Sequence, residues 1–271
     1  MPLFLLSIGL GVGLAIGCTG VGGVLLVPLL TYGLGLGVQG AIAVALWSYV
    51  WSGLVAVLLY ARHASIDWRM ALWLCLAAVP GAVLGARATA LLPDAALEGL
   101  IALLLVASGL HALQPRRTET PEPRRLGRTG LMMLGGITGF GAALVGGGGA
   151  FIVVPLLAVL EQPPLIAIGL GQTIQIPISA TASLLNLASG RIDLTLGTVL
   201  AAALAIGIAV GAPLAHALPQ QTLRRVLAFA MVAAGFAMLG NLAARVVIHN
   251  HRLCASVASI DACAAPRPGS R

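Results

Sequence analysis

Residues Gly20–Leu30 read Gly-Val-Gly-Gly-Val-Leu-Leu-Val-Pro-Leu-Leu, and the architecture of this chain is best understood from that stretch. A similar stretch, Gly-Gly-Gly-Ala-Phe-Ile-Val-Val-Pro-Leu-Leu, occupies Gly147–Leu157. In both, glycines are followed by apolar residues and then by a proline. Glycine frees the backbone and an internal proline removes a hydrogen-bond donor, so a helix kinks or unwinds at such a stretch. The pattern therefore predicts two broken helices.

Further matches follow at a nearly constant spacing of 126–127 residues. They pair Ile66-Asp67 with Ile192-Asp193, Gly81 and Gly85 with Gly207 and Gly211, Leu92-Pro93 with Leu218-Pro219, and Gly109 with Gly235. Ordered matches of glycine, proline and aspartate indicate an internal duplication rather than a shared composition. The sequence predicts a first four-span repeat at 1–113, a linker at 114–128, a second four-span repeat at 129–248 and a tail at 249–271.

The composition is that of a membrane protein. Of the 271 residues, 59% are hydrophobic and 8% are charged, whereas a soluble domain carries about 25% charged residues. This excludes a soluble enzyme, a disordered chain and a disulfide-stapled secreted module. The apolar blocks are Leu3–Leu34, Gly40–Tyr60, Trp68–Leu91, Leu97–Leu113, Leu131–Leu160, Leu165–Leu187, Leu194–Leu214 and Leu223–Ile248. We predict an all-α polytopic membrane protein of about eight transmembrane helices, arranged as two four-helix repeats with a glycine-broken first helix in each.

The distribution of arginine predicts the orientation. The net charge is +7, and the chain has arginine but no lysine. Arginines lie in short gaps between apolar blocks, so nucleic acid is not an expected partner, and the positive-inside rule applies instead. Linker and tail are both rich in arginine, which predicts cytoplasmic N- and C-termini and parallel repeats. In that arrangement Arg224 and Arg225 fall on the outer face, against the rule. If the broken blocks were re-entrant hairpins, each half would have three spans, the repeats would be inverted, and linker and tail would lie on opposite faces.

The glycine clusters are the first candidates for a binding site. Gly22, Gly23, Gly148 and Gly149 precede the second half of each broken helix. Irregular backbone inside a bilayer is tolerated where it is buried in protein or lines a cavity. The free N–H groups and the dipole of the following half-helix favour an anion. The alternative is that these glycines only allow helices to pack closely.

A row of polar residues is the second candidate. Gln172, Gln175, Ser179, Ser183 and Asn186 are spaced by 3, 4, 4 and 3 residues, which places them on one helical face. They predict the lining of a cavity, or else hydrogen bonds between helices. The matching helix of the first repeat carries Trp47, Ser48, Tyr49, Trp51 and Ser52. The predicted substrate-binding residues are Gly22, Gly23, Gly148, Gly149, Gln172, Thr173, Gln175, Asn186 and Ser48.

The sequence lacks the motifs that mark nucleotide-binding, metal-binding and catalytic sites. A chain without lysine has no P-loop, and neither a metal-binding cluster nor a nucleophile elbow occurs. We therefore predict no enzyme, no catalytic residue, no cofactor and no metal. The remaining functions are a secondary transporter of a small anion, a channel-like pore and a non-transporting membrane assembly partner. Homo-oligomerisation is left open.

With these motifs in view, the chain resembles the sulfite exporter TauE/SafE family over about Leu3–Val247. The resemblance is carried by Gly20–Pro28, by Gly146–Pro155 and by Ala167-Ile168-Gly169 with Gln172-Thr173. The first half departs from it at Trp47, where a small polar residue would be similar to the family, so the second repeat is expected to contribute more to the site. The resemblance implies a secondary carrier of about eight spans in the bacterial inner membrane. It also implies anionic, often sulfur-containing substrates such as sulfite or organosulfonates.

Overall fold

The computed structural model describes residues 2–63, 66–113, 126–217 and 225–244, and these ranges contain helices but no strand. The helices are α1 (Pro2–Thr19), a 3₁₀ turn (Gly22–Leu25), α2 (Leu26–Leu34), α3 (Val38–Arg62), α4 (Trp68–Leu91), α5 (Asp94–Leu113), α6 (Arg128–Val145), α7 (Ala150–Val159), α8 (Pro164–Ala188), α9 (Leu194–Ala217) and α10 (Arg225–Ala244). Within the described ranges, seven helices are long and apolar enough to cross a membrane. The prediction of an all-α polytopic membrane protein is confirmed.

Both glycine stretches interrupt a helix, as the sequence predicts. Helix α1 ends at Thr19 and helix α6 at Val145, after 18 residues each. The residue that directly follows each helix is a glycine with a left-handed backbone, Gly20 at φ +75° and Gly146 at φ +68°. Such a conformation costs a residue with a Cβ atom about 1–2 kcal/mol, whereas glycine adopts it freely. The chain therefore leaves each helix in a new direction.

The first broken segment is a hairpin. A Cβ atom placed on Gly33, near the end of α2, would lie 3.0 Å from the ring of Phe4, near the start of α1. Near the turn, a Cβ atom on Gly22 would lie 2.6 Å from the side chain of Ala15. In a straight helix, residues 4 and 33 would be about 44 Å apart at 1.5 Å per residue. Helices α1 and α2 are thus antiparallel, and the segment begins and ends on the same face of the protein.

The second broken segment reverses in the same way. A Cβ atom on Gly141 in α6 would lie 2.6 Å from Cδ1 of Ile152 in α7, so the two helices fold back on each other across the turn. Each half of the chain therefore has one re-entrant hairpin followed by three long helices. This differs from the predicted single broken span and agrees with the hairpin alternative. The sequence could not distinguish the two, because a kinked span and a hairpin have the same hydropathy.

Helices α5 and α10 show how the two halves are related. A Cβ atom on Gly99 would lie 3.6 Å from Leu242, and one on Gly109 would lie 2.6 Å from Val232. Residue numbers rise along α5 as they fall along α10, so these helices are antiparallel. They are the last helices of the two halves, so repeats of the same orientation would make α5 and α10 parallel to each other. The geometry matches inverted repeats, and the prediction of parallel repeats is wrong.

Two faces of the molecule can now be defined. The linker face carries the end of α5 at Leu113 and the start of α6 at Arg128, and the terminal face carries the start of α1 and the end of α10 at Ala244. Three long helices separate the two faces in each half. The predicted location of linker and tail on one face does not agree with this arrangement. Most of the linker, from residue 114 to 125, and the tail from residue 245 lie outside the described residues.

Small residues allow the hairpins to pack closely on the rest of the fold. Helix α6 lies against α4, where Gly139 meets the backbone of Ala78, and α1 lies against α9, where Gly13 meets the backbone of Leu204. Each residue of one contact is 126 positions from its counterpart in the other. The scattered glycines thus serve close packing. The correspondence supports the duplication, while the repeat boundaries stay a prediction.

Candidate functional site

The two helix breaks meet at the centre of the protein. A Cβ atom on Gly23 would lie 3.0 Å from the carbonyl oxygen of Gly147. One on Gly148 would lie 2.7 Å from Oε1 of Gln175 and 3.6 Å from the ring of Tyr49. Tyr49 and Gln175 are near the middle of α3 and α8, which have 25 residues each. The centre therefore lies at about half the depth of the membrane.

The second half-helices direct their amino ends toward this centre. Helix α7 begins at Ala150 after Gly149, and no side chain caps its N–H groups. The 3₁₀ turn and α2 likewise begin without a side-chain cap. The first N–H groups of a helix have no partner within the helix, and they carry the positive end of its dipole. The centre is therefore a place where backbone donors favour negative charge.

The carbonyl ends of the first half-helices are occupied by hydroxyl groups. The Tyr60 hydroxyl donates to the carbonyl of Gly17 at 2.7 Å, near the end of α1. The Thr89 hydroxyl lies 3.1 Å from the carbonyl oxygen of Leu144, near the end of α6, and 3.0 Å from that of Gly85 in its own helix. Carbonyl oxygens at a helix C-terminus would otherwise repel an anion. These donors reduce the negative potential of the breaks while the N–H groups of α7 keep their positive potential.

Tyr49 is a residue of the centre that the sequence did not single out. Its side chain is fully buried, and its hydroxyl donates to the carbonyl of Gly23. Its position corresponds to Gln175 at the repeat spacing of 126 residues, which is the signal that could have found it. The predicted Ser48 does not reach the centre, because its hydroxyl lies 2.8 Å from the carbonyl oxygen of Val44 in its own helix and 3.0 Å from that of Gly197 in α9.

The polar row on α8 is buried within the protein. Gln172, Gln175, Ser179 and Ser183 are exposed by 0, 2, 0 and 2%. Both polar side-chain atoms of Gln172, Nε2 of Gln175 and the two serine hydroxyls have no hydrogen-bond partner in the described part of the chain. A buried polar atom left without a partner costs about 1–3 kcal/mol. A row of such atoms is consistent with the lining of a polar route, and interhelical hydrogen bonds do not account for it.

The other predicted residues lie away from the centre. Asn186 is on the same row but in the last turn of α8, close to the terminal face. Thr173 is half-buried, its hydroxyl donates to the carbonyl of Gly169 at 2.8 Å, and its own carbonyl accepts from Cys75 of α4. Gly22 packs on α1. Of the nine predicted residues, the structure brings together Gly23, Gly148, Gly149 and Gln175, places Gln172 and Asn186 on the adjoining row, and places Gly22, Thr173 and Ser48 elsewhere.

We expect Tyr49→Phe to lower the free energy of unfolding by about 1–3 kcal/mol, because the buried carbonyl of Gly23 loses its donor. Thermal and denaturant unfolding in detergent would measure the change. Tyr49→Leu should cost more, since it also leaves a cavity beside Gly148. If Tyr49→Phe unfolded at the same temperature as the wild type, the hydrogen bond from Tyr49 to Gly23 would not stabilise the helix break.

The chemistry available at the centre is hydrogen bonding to a ligand. The donors are the N–H groups of α7, the hydroxyl of Ser179 and Nε2 of Gln175, which lies beside Gly53 while Oε1 of the same amide faces Gly148. Among the residues described, no group of three His, Cys, Asp or Glu side chains could hold a metal ion. Two helix breaks meeting at mid-membrane within a polytopic helical protein are typical of membrane transporters.

Comparison with known proteins agrees with that class. The chain belongs to the sulfite exporter TauE/SafE family, whose model matches residues 5–238. A protein of Methanocaldococcus jannaschii named "probable membrane transporter protein" is 24% identical over 193 residues, which are 69% of this chain and 72% of that protein. No solved structure matches the chain significantly. The family resemblance seen in the sequence is confirmed, and the chain is a membrane transporter.

Proposed function

We propose that this protein is a secondary transporter that carries a small anion across the bacterial inner membrane. The observation that carries the proposal is the meeting of the two breaks at Gly23 and Gly147, beside the amide of Gln175. Donors from the start of α7 and from α8 lie beside this meeting point. They attract an anion without a fixed positive side chain, so the ligand can be released as well as bound.

The proposed substrate is sulfite, an organosulfonate or a related sulfur-containing anion. Such a group presents three oxygens in different directions, and the donors at the centre come from two sides: the start of α7, and Gln175 with Ser179 on one face of α8. The family to which the chain belongs is described as a sulfite exporter family, which supports this substrate class. The same donors suit other small oxyanions, and a panel of anions in the transport experiment below separates them.

Transport would proceed by alternating access around the centre. The two hairpins approach it from opposite faces, and inverted repeats are a common basis for such a mechanism. The polar row continues from Gln175 through Ser179 and Ser183 to Asn186, so it connects the centre with the terminal face. Movement of one half against the other would open and close this route.

We further propose that the linker face is cytoplasmic. Arg62, Arg69 and Arg225 join Arg128 on that face, whereas Arg87 and Arg191 belong to the terminal face. The positive-inside rule favours the linker face for the cytoplasm. In the inverted arrangement Arg225 no longer contradicts the rule. The proposed orientation keeps the linker cytoplasmic, as predicted, and moves both ends of the described chain to the outer face.

The partners of the protein follow from its class. A lipid bilayer and a small-molecule substrate fit a membrane transporter with seven apolar helices in the described ranges. Homo-oligomerisation and the lack of a nucleic-acid partner stay predictions.

Gln175→Leu is expected to reduce uptake of labelled sulfite into proteoliposomes about 10- to 150-fold, because a hydrogen bond to a charged group contributes about 1.5–3 kcal/mol. Thr173→Val is the matched control on the same helix, since Thr173 faces α4, and its uptake should stay near that of the wild type. Equal uptake by wild type and Gln175→Leu would refute the assignment of the centre. A wild-type protein that takes up other oxyanions but no sulfite would refute the substrate class.

Counterflow distinguishes a carrier from a channel-like pore. Proteoliposomes preloaded with unlabelled substrate should accumulate labelled substrate transiently if the protein exchanges one anion for another. A pore would conduct without saturation and without counterflow. Conductance of that kind would favour the channel alternative, and a purified protein that is not stabilised by any tested anion would favour the assembly partner.

A further inference from the structure

A cavity of about 100 Å³ adjoins the linker face and is not part of the centre. It lies between the end of α1, the end of α5, helix α7 and the first turns of α8 and α10. At its inner wall are Cys18, Thr19 and Val21, and Val21 is two residues before Gly23. The cavity therefore extends from the linker face to the wall of the central break.

The lining of the cavity combines a polar side with an apolar side. Ser108 and His111 are one turn apart on α5, and Thr19 lies on the α1 wall. Apolar residues such as Pro155 and Met231 form the rest. The Thr19 hydroxyl donates to the carbonyl of Ala15 at 2.8 Å. A serine hydroxyl and an imidazole can donate hydrogen bonds to an anionic head, while the apolar wall accepts a small organic group.

The helix that forms one wall of the cavity begins with a positive charge. Arg225 is exposed and begins α10, two residues before Leu227, which lines the cavity. Positive charge at the rim of a cleft raises the local concentration of anions.

At two positions the corresponding region on the terminal face is more buried than the cavity. At the repeat spacing of 126 residues, the lining residues Leu227, Ala228 and Met231 of α10 correspond to Ile101, Ala102 and Leu105 of α5. Ala228 and Met231 are as fully buried as Ala102 and Leu105, and the difference lies in the third pair, since Leu227 is half-buried and Ile101 is fully buried. A second pair shows the same difference, because Pro164 at the cavity is exposed and its counterpart Val38 is buried. The two halves thus share a fold but differ in access.

We propose that this cavity is the entrance through which a small organic anion reaches the centre from the linker face. Ser108 and His111 bind the anionic head on the way, and the structure is the conformation that is open to this face. Ile101 and Val38, the buried counterparts of Leu227 and Pro164, close the equivalent entrance on the terminal face. This inference rests on the proposed transport function, since it names the route to the same site.

Cysteine accessibility tests the entrance without a transport measurement. Cys18, Cys75, Cys254 and Cys263 are first replaced by serine, and single cysteines are then introduced. Ser108→Cys reports on the cavity, Ala234→Cys is its counterpart at the repeat spacing, and Arg69→Cys marks the linker face. The probe is 2-sulfonatoethyl methanethiosulfonate, a membrane-impermeant organic anion, applied separately to inside-out and right-side-out membrane vesicles.

We expect Ser108→Cys to react from the same side as Arg69→Cys, and at least about tenfold faster than Ala234→Cys, because a thiol reacts only where the reagent reaches it. Ethanesulfonate at high concentration should slow the reaction of Ser108→Cys and leave that of Arg69→Cys unchanged. Reaction from the opposite side, equal rates for Ser108→Cys and Ala234→Cys, or no effect of ethanesulfonate would each overturn the entrance.

The outcomes separate this inference from the proposed function. If wild-type protein transports sulfite and Gln175→Leu does not, but Ser108→Cys is not protected, the centre stands and the entrance is wrong. If Ser108→Cys is protected by ethanesulfonate in a protein that transports no anion, the cavity binds organic anions and the transport function is wrong.

Discussion

Gly148→Ala is expected to reduce anion uptake about 100-fold or more, since it removes the hydrogen bonds of Gln175 and of the adjoining backbone together, at about 1.5–3 kcal/mol each. Gly148 has a left-handed backbone at φ +71°, and its Cβ atom would lie 2.7 Å from Oε1 of Gln175. The added methyl group would therefore both strain the backbone and displace the amide from the centre. Uptake of labelled sulfite into proteoliposomes would measure the loss.

Gly35→Ala is the matched control for that prediction. Gly35 has nearly the same backbone conformation, φ +70°, but no atom lies within 4 Å of its Cβ position. Both substitutions should lower stability by a similar amount, about 1–2 kcal/mol from the left-handed conformation. Only Gly148→Ala should impair uptake. If both variants lost uptake equally, the defect would come from backbone strain, and the position of Gln175 would not be the cause.

Gly139→Ala is expected to lower the free energy of unfolding by about 1–3 kcal/mol, the usual cost of overpacking a tight contact. Its Cβ atom would lie 2.8 Å from Cα of Ala78 and would also meet the carbonyl oxygen of that residue. These are backbone atoms, so helix α6 would have to move away from α4. The second hairpin would then separate from its support. Thermal unfolding in detergent would measure the effect.

Gly136→Ala is the control for Gly139→Ala on the same helix. Its Cβ atom would lie 3.8 Å from the carbonyl oxygen of Ala77, an ordinary contact. Alanine favours a helix over glycine by about 0.8–1 kcal/mol, so this variant should be neutral or slightly stabilised. Gly13→Ala should resemble Gly139→Ala, because it meets the backbone of Leu204 in the corresponding contact. A neutral Gly139→Ala would show that the α4–α6 contact is looser than described.

The candidate site was predictable only in part. Gly148, Gly149 and Gln175 could be predicted because backbone freedom, free N–H groups and the period of a helix are properties of short stretches. Ser48 lies away from the centre, since neighbours on a helix face different directions and its hydroxyl lies against the carbonyl oxygens of Val44 and Gly197. Tyr49 reads as an ordinary aromatic residue until its hydroxyl is seen to donate to the carbonyl of Gly23. Its partner is 26 residues away in the chain, so no local pattern contains it.

The sequence by itself determined that this is a helical membrane transporter of the TauE/SafE family with two broken helices and a polar row on α8. Composition, glycine–proline stretches and helical spacing are properties of short stretches of the chain. They determine where the backbone is helical and which segments enter the bilayer. Only the tertiary structure decided the direction of the segments. A left-handed glycine at position 20 permits a reversal, but contacts such as Gly33 on Phe4 and Gly109 on Val232 establish it. Those contacts join distant residues, so the hairpins, the inverted halves and the meeting of the two breaks could be seen only in the folded chain.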